Sequence, residues 1–298
     1  MSVRTGAPVV VGVDGSPTAL RAVRTGAAEA ALRHRPLHLV HAFVWPLLHV
    51  DVDRSPGGPT DGGLRHQAER MLAEAVGQAR AVAPGLPVSH AIVDGQAAAV
   101  LCRETTDADL LVIGDRGLGG FTGLLVGSVA VQVSTYASCP VLLARGEDHD
   151  GPVVVGVDNS AHSRVALGVA IEEASRRGAE CRAVHAFRHP VSSGPGDMMP
   201  LVYDTEALRG EEDRELAESI AGWSDRFPDV PVIRRVVHGR AAPALIEESA
   251  TAQLVVVGAR GLGGFAGLLL GSTSHAVLHH AGCPTVLVRD GNAPGQGG

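Results

Sequence analysis

Lysine is absent from this 298-residue chain, so every one of its 25 Lys/Arg positions is arginine. That excludes a Walker-type phosphate-binding lysine, a Schiff-base lysine and a lysine general base. Cysteine is scarce: Cys102, Cys139, Cys181 and Cys283 form no C-x-x-C pair and no close Cys/His cluster, so neither a disulfide framework nor a zinc site is signalled. No stretch approaches the roughly 20 uncharged apolar residues that span a bilayer. The opening MSVRTGAPVVVGVDG breaks its apolar run at Asp14, too soon for a signal peptide. Basic runs are missing too, and a formal charge of -7 argues against coating nucleic acid or an anionic membrane. The expectation is a cytoplasmic protein with no nucleic-acid or membrane partner.

What is present is a long internal repeat. LLVIGDRGLGGFTGLLVGS at 110 to 128 returns as LVVVGARGLGGFAGLLLGS at 254 to 272. VVVGVDGS at 9 to 16 matches VVVGVDNS at 153 to 160, HAF at 41 to 43 matches HAF at 185 to 187, and SCPVLLAR at 138 to 145 resembles GCPTVLVR at 282 to 289. Every pair is 144 positions apart, too long a period for a solenoid unit, so the chain reads as one domain duplicated. The boundaries expected are 1–147 and 148–290, with a disordered tail at 291–298.

Each half alternates short valine-rich runs with segments of helical periodicity, the pattern of parallel strands joined by crossover helices. In the first half PVVVGVD, LHLVHAF, VSHAIVD, LLVIG and PVLLAR read as five strands, with four helices between them. The fold class expected is α/β: two tandem doubly wound domains with helices on both faces of each sheet. The Pro/Gly-rich segments at 44–63 and 188–204 do not resemble each other and read as flaps or surface loops. The fifth strands, PVLLAR and PTVLVR, are hydrophobic edges that need cover, so they are expected to meet across a pseudo-twofold axis between the halves.

The repeated loop leaves the carboxyl end of a fourth strand, where ligands of open parallel sheets sit. Gly114, Gly117 and Gly127 are spaced G-x2-G-x9-G and followed by Ser128; Gly258, Gly261, Gly271 and Ser272 repeat the spacing. Such glycines let backbone N–H groups approach an anion and allow positive φ, and the next helix N-terminus suits phosphate. Ser128 would cap that helix or donate to a phosphate oxygen. Arg116 and Arg260 add positive charge, and Asp14 offers a carboxylate to donors at the far end of a ligand.

With VGVDGS on the first strand, HAF on the second and SCPVLL on the last, the chain resembles a tandem universal stress protein from about residue 7 to 290. The resemblance implies the strand order 3-2-1-4-5 and, in the nucleotide-binding branch of that family, ATP in each half, with magnesium as a candidate companion. It implies that Asp14 and Asp158 contact adenosine, that backbone groups of Ala42 and Ala186 hold adenine, and that the loop glycines, Ser128 and Ser272 cradle ribose and phosphates. Gly12 and Gly156 would let the ligand lie close to the first strand. Asp115 against Ala259 sets the copies apart, so the first site is expected to bind more weakly or to rely on a metal ion, with both sites still occupied.

A nicotinamide-dependent dehydrogenase would need G-x-G-x-x-G after the first strand, where the chain reads GVDGSP. A slow ATP hydrolase and an interaction module that binds no nucleotide remain as alternatives to a nucleotide-dependent regulator. No Asp/Glu/His cluster accompanies the loop in both copies, which disfavours a dedicated hydrolase. His275 and His279 have metal-compatible spacing, but Val131 and Thr135 replace them in the first copy and no third ligand is evident. His41 and His185 are expected to be packed, hydrogen-bonded strand residues. Dimerisation of the whole chain follows by analogy only, and the regulatory partner is not named by the sequence.

Overall fold

The computed structural model describes residues 6–44, 63–117, 126–188, 204–262 and 270–289. The expected tail, most of both Pro/Gly-rich segments and the centres of the two glycine loops lie outside the described residues. The first half runs β1 (Val9–Gly12), α1 (Pro17–Leu32), β2 (Leu37–Phe43), α2 (Leu64–Val82), β3 (Val88–Asp94), α3 (Ala97–Glu104), β4 (Leu110–Gly114), α4 (Ser128–Tyr136) and β5 (Val141–Ala144). The second runs β6 (Val153–Gly156), α5 (Ala161–Arg177), β7 (Cys181–Phe187), α6 (Thr205–Ser224), β8 (Val232–His238), α7 (Ala241–Glu248), β9 (Leu254–Gly258), α8 (Ser272–His280) and β10 (Thr285–Val288).

The strands are buried on both faces because alternate residues serve two cores. Val9 and Val11 join the cluster that includes Leu72 of α2 and Leu167 of α5, whereas Val10 joins the one that includes Leu101 of α3 and Leu278 of α8. Helix starts are set by side chains: Ser16 accepts from the Ala19 amide at 3.1 Å with Pro17 at the first helical position, and Ser160 accepts from the Ser163 amide at 3.1 Å. Helix α1 ends before His34, whose φ of 53° is left-handed. Helix α3 stops at Glu104 and tightens into a 3-10 turn over Thr105–Asp107.

Each half has the order β3-β2-β1-β4-β5 or its counterpart β8-β7-β6-β9-β10, all parallel within the half. The fifth strands pair antiparallel, Thr285 opposite Leu143 and Leu287 opposite Val141, so one ten-stranded sheet runs through the chain. The connection is fitted tightly: Gly146 has φ +68°, and a Cβ there would lie 1.9 Å from the Gly282 carbonyl oxygen.

A buried charge cluster joins α1 to α5 across the seam. Arg33 binds Glu29 at 3.2 Å, Asp109 at 3.1 Å and Glu173 at 2.5 Å, and Arg177 binds both Glu173 and Glu29. Glu29 and Glu173, like Arg33 and Arg177, are equivalent positions in the repeat, so the contact is reciprocal, as a twofold requires. The Arg33 and Glu173 side chains are only 8% and 1% exposed. Burial alone would raise the Glu173 carboxyl, but Arg33, Arg177 and Arg176 hold it well below the usual carboxylate range. On the opposite sheet face, Arg145 donates to the Leu278 carbonyl of α8, beside His279.

Glu173→Ala leaves three arginines short of their shared carboxylate and is expected to destabilise the chain by about 3–5 kcal/mol in denaturant titrations; a loss below about 1 kcal/mol would show that the cluster contributes little. The pH dependence follows from two shifts. Because the native Glu173 carboxyl lies below its ordinary 4.5, its contribution is present above that value and is lost as pH falls through the native one. Burial, then His275, His280 and Arg145, lower His279 from 6.5, so below that pH the unfolded chain takes up a proton that the native state resists. Stability should therefore decline as pH falls below about 6.5, and His279→Gln should flatten the first part of that decline in melts recorded across the range.

Candidate functional site

The winding reverses between β1 and β4, whose carboxyl ends open a cavity of about 440 Å³ in the first half. Its wall includes Gly12, Asp14, Ala42, Gly114, Asp115, Arg116, Gly117, Gly127 and Ser128, so every residue singled out in the first copy borders one space. A volume in this range holds a small-molecule ligand. The second-copy residues occupy equivalent positions: Gly156 ends β6, Ala186 lies on β7, Gly258 ends β9, and Gly271 and Ser272 begin α8.

Close neighbours, and not positive φ, account for Gly12, Gly114, Gly117 and their second-copy equivalents. Gly114, Gly117 and Gly127 are outside the positive-φ set, as are Gly258, Gly261 and Gly271. A Cβ at Gly117 would fall 2.6 Å from Asp14 Oδ2, and one at Gly261 would fall 2.3 Å from Asp158 Oδ2. At Gly114 and Gly258 the obstacles are the backbones of Thr18 and His162, at 2.8 and 2.9 Å. Gly12 and Gly156 leave room for Leu101 and Leu245, whose Cδ1 atoms would each lie 2.9 Å from a Cβ. Their smallness thus admits a core leucine; in the first copy that leucine also lines the cavity.

An aspartate follows the first strand of each half, and in the second it ties that strand to the loop. Asp14 Oδ1 accepts from the Ser16 amide at 2.9 Å, and Asp158 Oδ1 from the Ser160 amide at 3.1 Å. Asp158 Oδ2 also accepts from the Leu262 amide at 3.1 Å, inside the glycine loop. Burial would raise the Asp158 carboxyl, yet hydrogen bonds from Ser160, Leu262 and Ser163 draw it below its ordinary range. Such a group is an acceptor for ligand donors and a poor base.

The serine after the loop does not cap its helix. Gly127 and Gly271 are the cap residues, with no side-chain cap bond, and Ser128 and Ser272 are the first helical residues. The leading N–H groups of α4 and α8 are thereby left for a partner outside the helix. The loop is closed at its base by the Gly127 amide donating to the Asp115 carbonyl at 2.8 Å and by the equivalent Gly271 to Ala259 bond at 2.8 Å. Arg116 is 58% exposed beside this base.

Two anchors were not visible in the repeat because the copies use different residues. The Thr18 hydroxyl donates to the Arg116 carbonyl, whereas in the second copy the Ser274 hydroxyl donates to the Gly258 carbonyl at 2.6 Å. His41 and His185 are hydrogen-bonded through Nδ1 to the Val13 and Val157 carbonyls, each at 2.8 Å. His275 and His279 stack with ring centroids 4.4 Å apart, and the described residues contain no group of three His/Cys/Asp/Glu that could hold a metal.

Comparison with known proteins agrees with the duplicated architecture. The model of the universal stress protein family matches residues 7–145 and again 151–289. Two universal stress proteins of Mycobacterium tuberculosis are each 39% identical to the chain, over 294 and 298 residues, covering 94% and 95% of it and 96% of each relative. The crystal structure of a universal stress protein from Archaeoglobus fulgidus superposes with a TM-score of 0.66 at 18% identity, covering 95% of this chain and 98% of its own, a likeness of fold. Among the described residues no helix is long and apolar enough to cross a membrane. With its model matched twice in succession and relatives aligned almost end to end, the chain belongs to the universal stress protein family.

Proposed function

We propose that each half binds one adenine nucleotide, ATP foremost, and that occupancy sets the protein's shape, stability or choice of partner in cytoplasmic stress or dormancy adaptation. The observation that carries this reading is the uncapped start of α4, opening beside the loop glycines onto a cavity of about 440 Å³. Free N–H groups and the positive end of the helix dipole favour a phosphate chain there. Asp14 stands just past the end of β1 for a hydroxyl or amino donor, and Ala42 presents strand backbone to a base edge. Equivalent residues recur in the second half, which supports a second site.

The same residues favour binding over hydrolysis. Those shared by both cradles are glycines, an alanine, a serine, an arginine, an aspartate and a histidine; the histidines are held through Nδ1 by strand carbonyls, and the second-copy aspartate is engaged by backbone amides and held below its ordinary range. That leaves it poorly suited to activating water. Magnesium fits as a companion of the phosphates themselves, since the described residues contain no group of three protein ligands for it.

Protein purified, denatured and chromatographed should release close to two adenine nucleotides per chain, and added ATP should raise the melting temperature of stripped protein. Gly117→Glu combined with Gly261→Glu places a side chain where Asp14 and Asp158 now sit and should abolish both effects. A folded double variant that binds ATP undiminished would place the site elsewhere, and accumulation of ADP during incubation would favour the hydrolase.

A further inference from the structure

The two loops contain the same arginine in different electrostatic company. Across 114–128 and 258–272 only three positions differ: Asp115 against Ala259, Thr122 against Ala266, and Val126 against Leu270. Asp115 is therefore the one charged difference, and the undescribed centres of both loops contain no charged residue in the sequence. In the first copy Asp115 Oδ2 lies 3.8 Å from Arg116 Nε, with side chains 14% and 58% exposed, and both residues line the cavity. Asp115 also acts on Arg145, the arginine at the end of β5. In the second copy Ala259 is 2% exposed, and Arg260 makes no ion pair among the described residues. The charge these adjacent residues present to a ligand is thus near zero in one cradle and +1 in the other.

Resting on the nucleotide-binding reading, we infer that the two sites select phosphate chains of different charge. The second site prefers the polyphosphate, and Asp115 has removed that preference from the first. Two effects act in the same direction: the Asp115 carboxylate repels added phosphate charge, and it occupies the arginine that would otherwise meet that charge. A monophosphate places less charge within this field, so it should distinguish the sites less than a triphosphate does. The partly exposed setting weakens the effect and makes it sensitive to salt.

The test is calorimetric titration of the nucleotide-free full chain with AMP and with ATP, without magnesium. ATP should bind in two steps, on the order of tenfold apart at low salt and closer at high salt, while AMP should bind the two sites with nearly equal affinity. Asp115→Asn, which keeps the side-chain shape, should bring the weaker ATP step up towards the tighter one and move AMP binding by a smaller factor. Arg260→Gln should weaken the tight ATP step, and Arg116→Gln, which leaves the Asp115 carboxylate without its counter-charge, should weaken the other step; both side chains are exposed enough for the variants to fold. Two equal ATP sites in the natural chain would overturn the inference and leave nucleotide binding intact. So would an Asp115→Asn variant with the same two steps. Failure of the folded chain to bind either nucleotide would overturn both.

Discussion

The antiparallel pair of β5 and β10 fixes where everything else can be. Each strand is four residues long and wholly buried, and alone it would be an apolar sheet edge with unpaired N–H and C=O groups. Joining them removes both edges and creates one sheet. Because the pair is antiparallel while every pair within a half is parallel, the strands of the two halves run in opposite directions. The carboxyl ends that carry the two cradles therefore face opposite ends of the sheet. The two cradles cannot share one occupant, and any communication between them must cross the seam.

Hydrophobic pairing alone leaves that seam poorly specified, since a run such as Val-Leu-Leu-Ala offers several registers of similar packing. The Glu29, Arg33, Glu173 and Arg177 cluster supplies the discrimination. A slip of the seam would leave buried carboxylates and guanidinium groups unpaired, a far larger cost than a lost methyl contact. The net stabilisation of the correct register can be modest while the cost of a wrong one is high. Placing equivalent residues on the axis lets one pair of sequence positions supply both halves of the contact.

The alternation of strands and helices and the duplication were legible because they rest on periodicity and on a repeat of fixed offset, whereas the strand order came from the family resemblance, since periodicity does not fix which strands are neighbours. What escaped reading depends on three-dimensional neighbours. The glycines looked like positive-φ positions, yet their backbone is ordinary and the space beside them is filled by Asp14, Thr18 or Leu101. Ser128 looked like a cap, but the chain enters α4 with Gly127 in the cap position. The charge cluster left a signal that could have been used: Glu and Arg recur four residues apart at equivalent positions of α1 and α5, the arrangement that a reciprocal contact demands.

The places where the copies differ follow from how tightly each position is held. Gly117 and Gly261 have no freedom while an aspartate stands against them. The turn just before each first helix is less confined: Gly15 and Asn159 both have positive φ, at 86° and 61°, a region that asparagine tolerates. A Cβ at Gly15 would lie 2.6 Å from Met71 Sδ, so glycine there accompanies apolar packing from α2. Asn159 instead donates to Glu215 at 3.1 Å and accepts from Ser219 at 2.7 Å, a polar contact with α6. On the same helix Glu212 reaches His185 at 2.8 Å. Backbone closeness has kept the two cradles alike in shape, while the polar groups around them have been free to drift. A duplicated cradle of this kind can diverge in its rim charges without any change of fold, because the glycines that fix its shape are not the residues that carry charge.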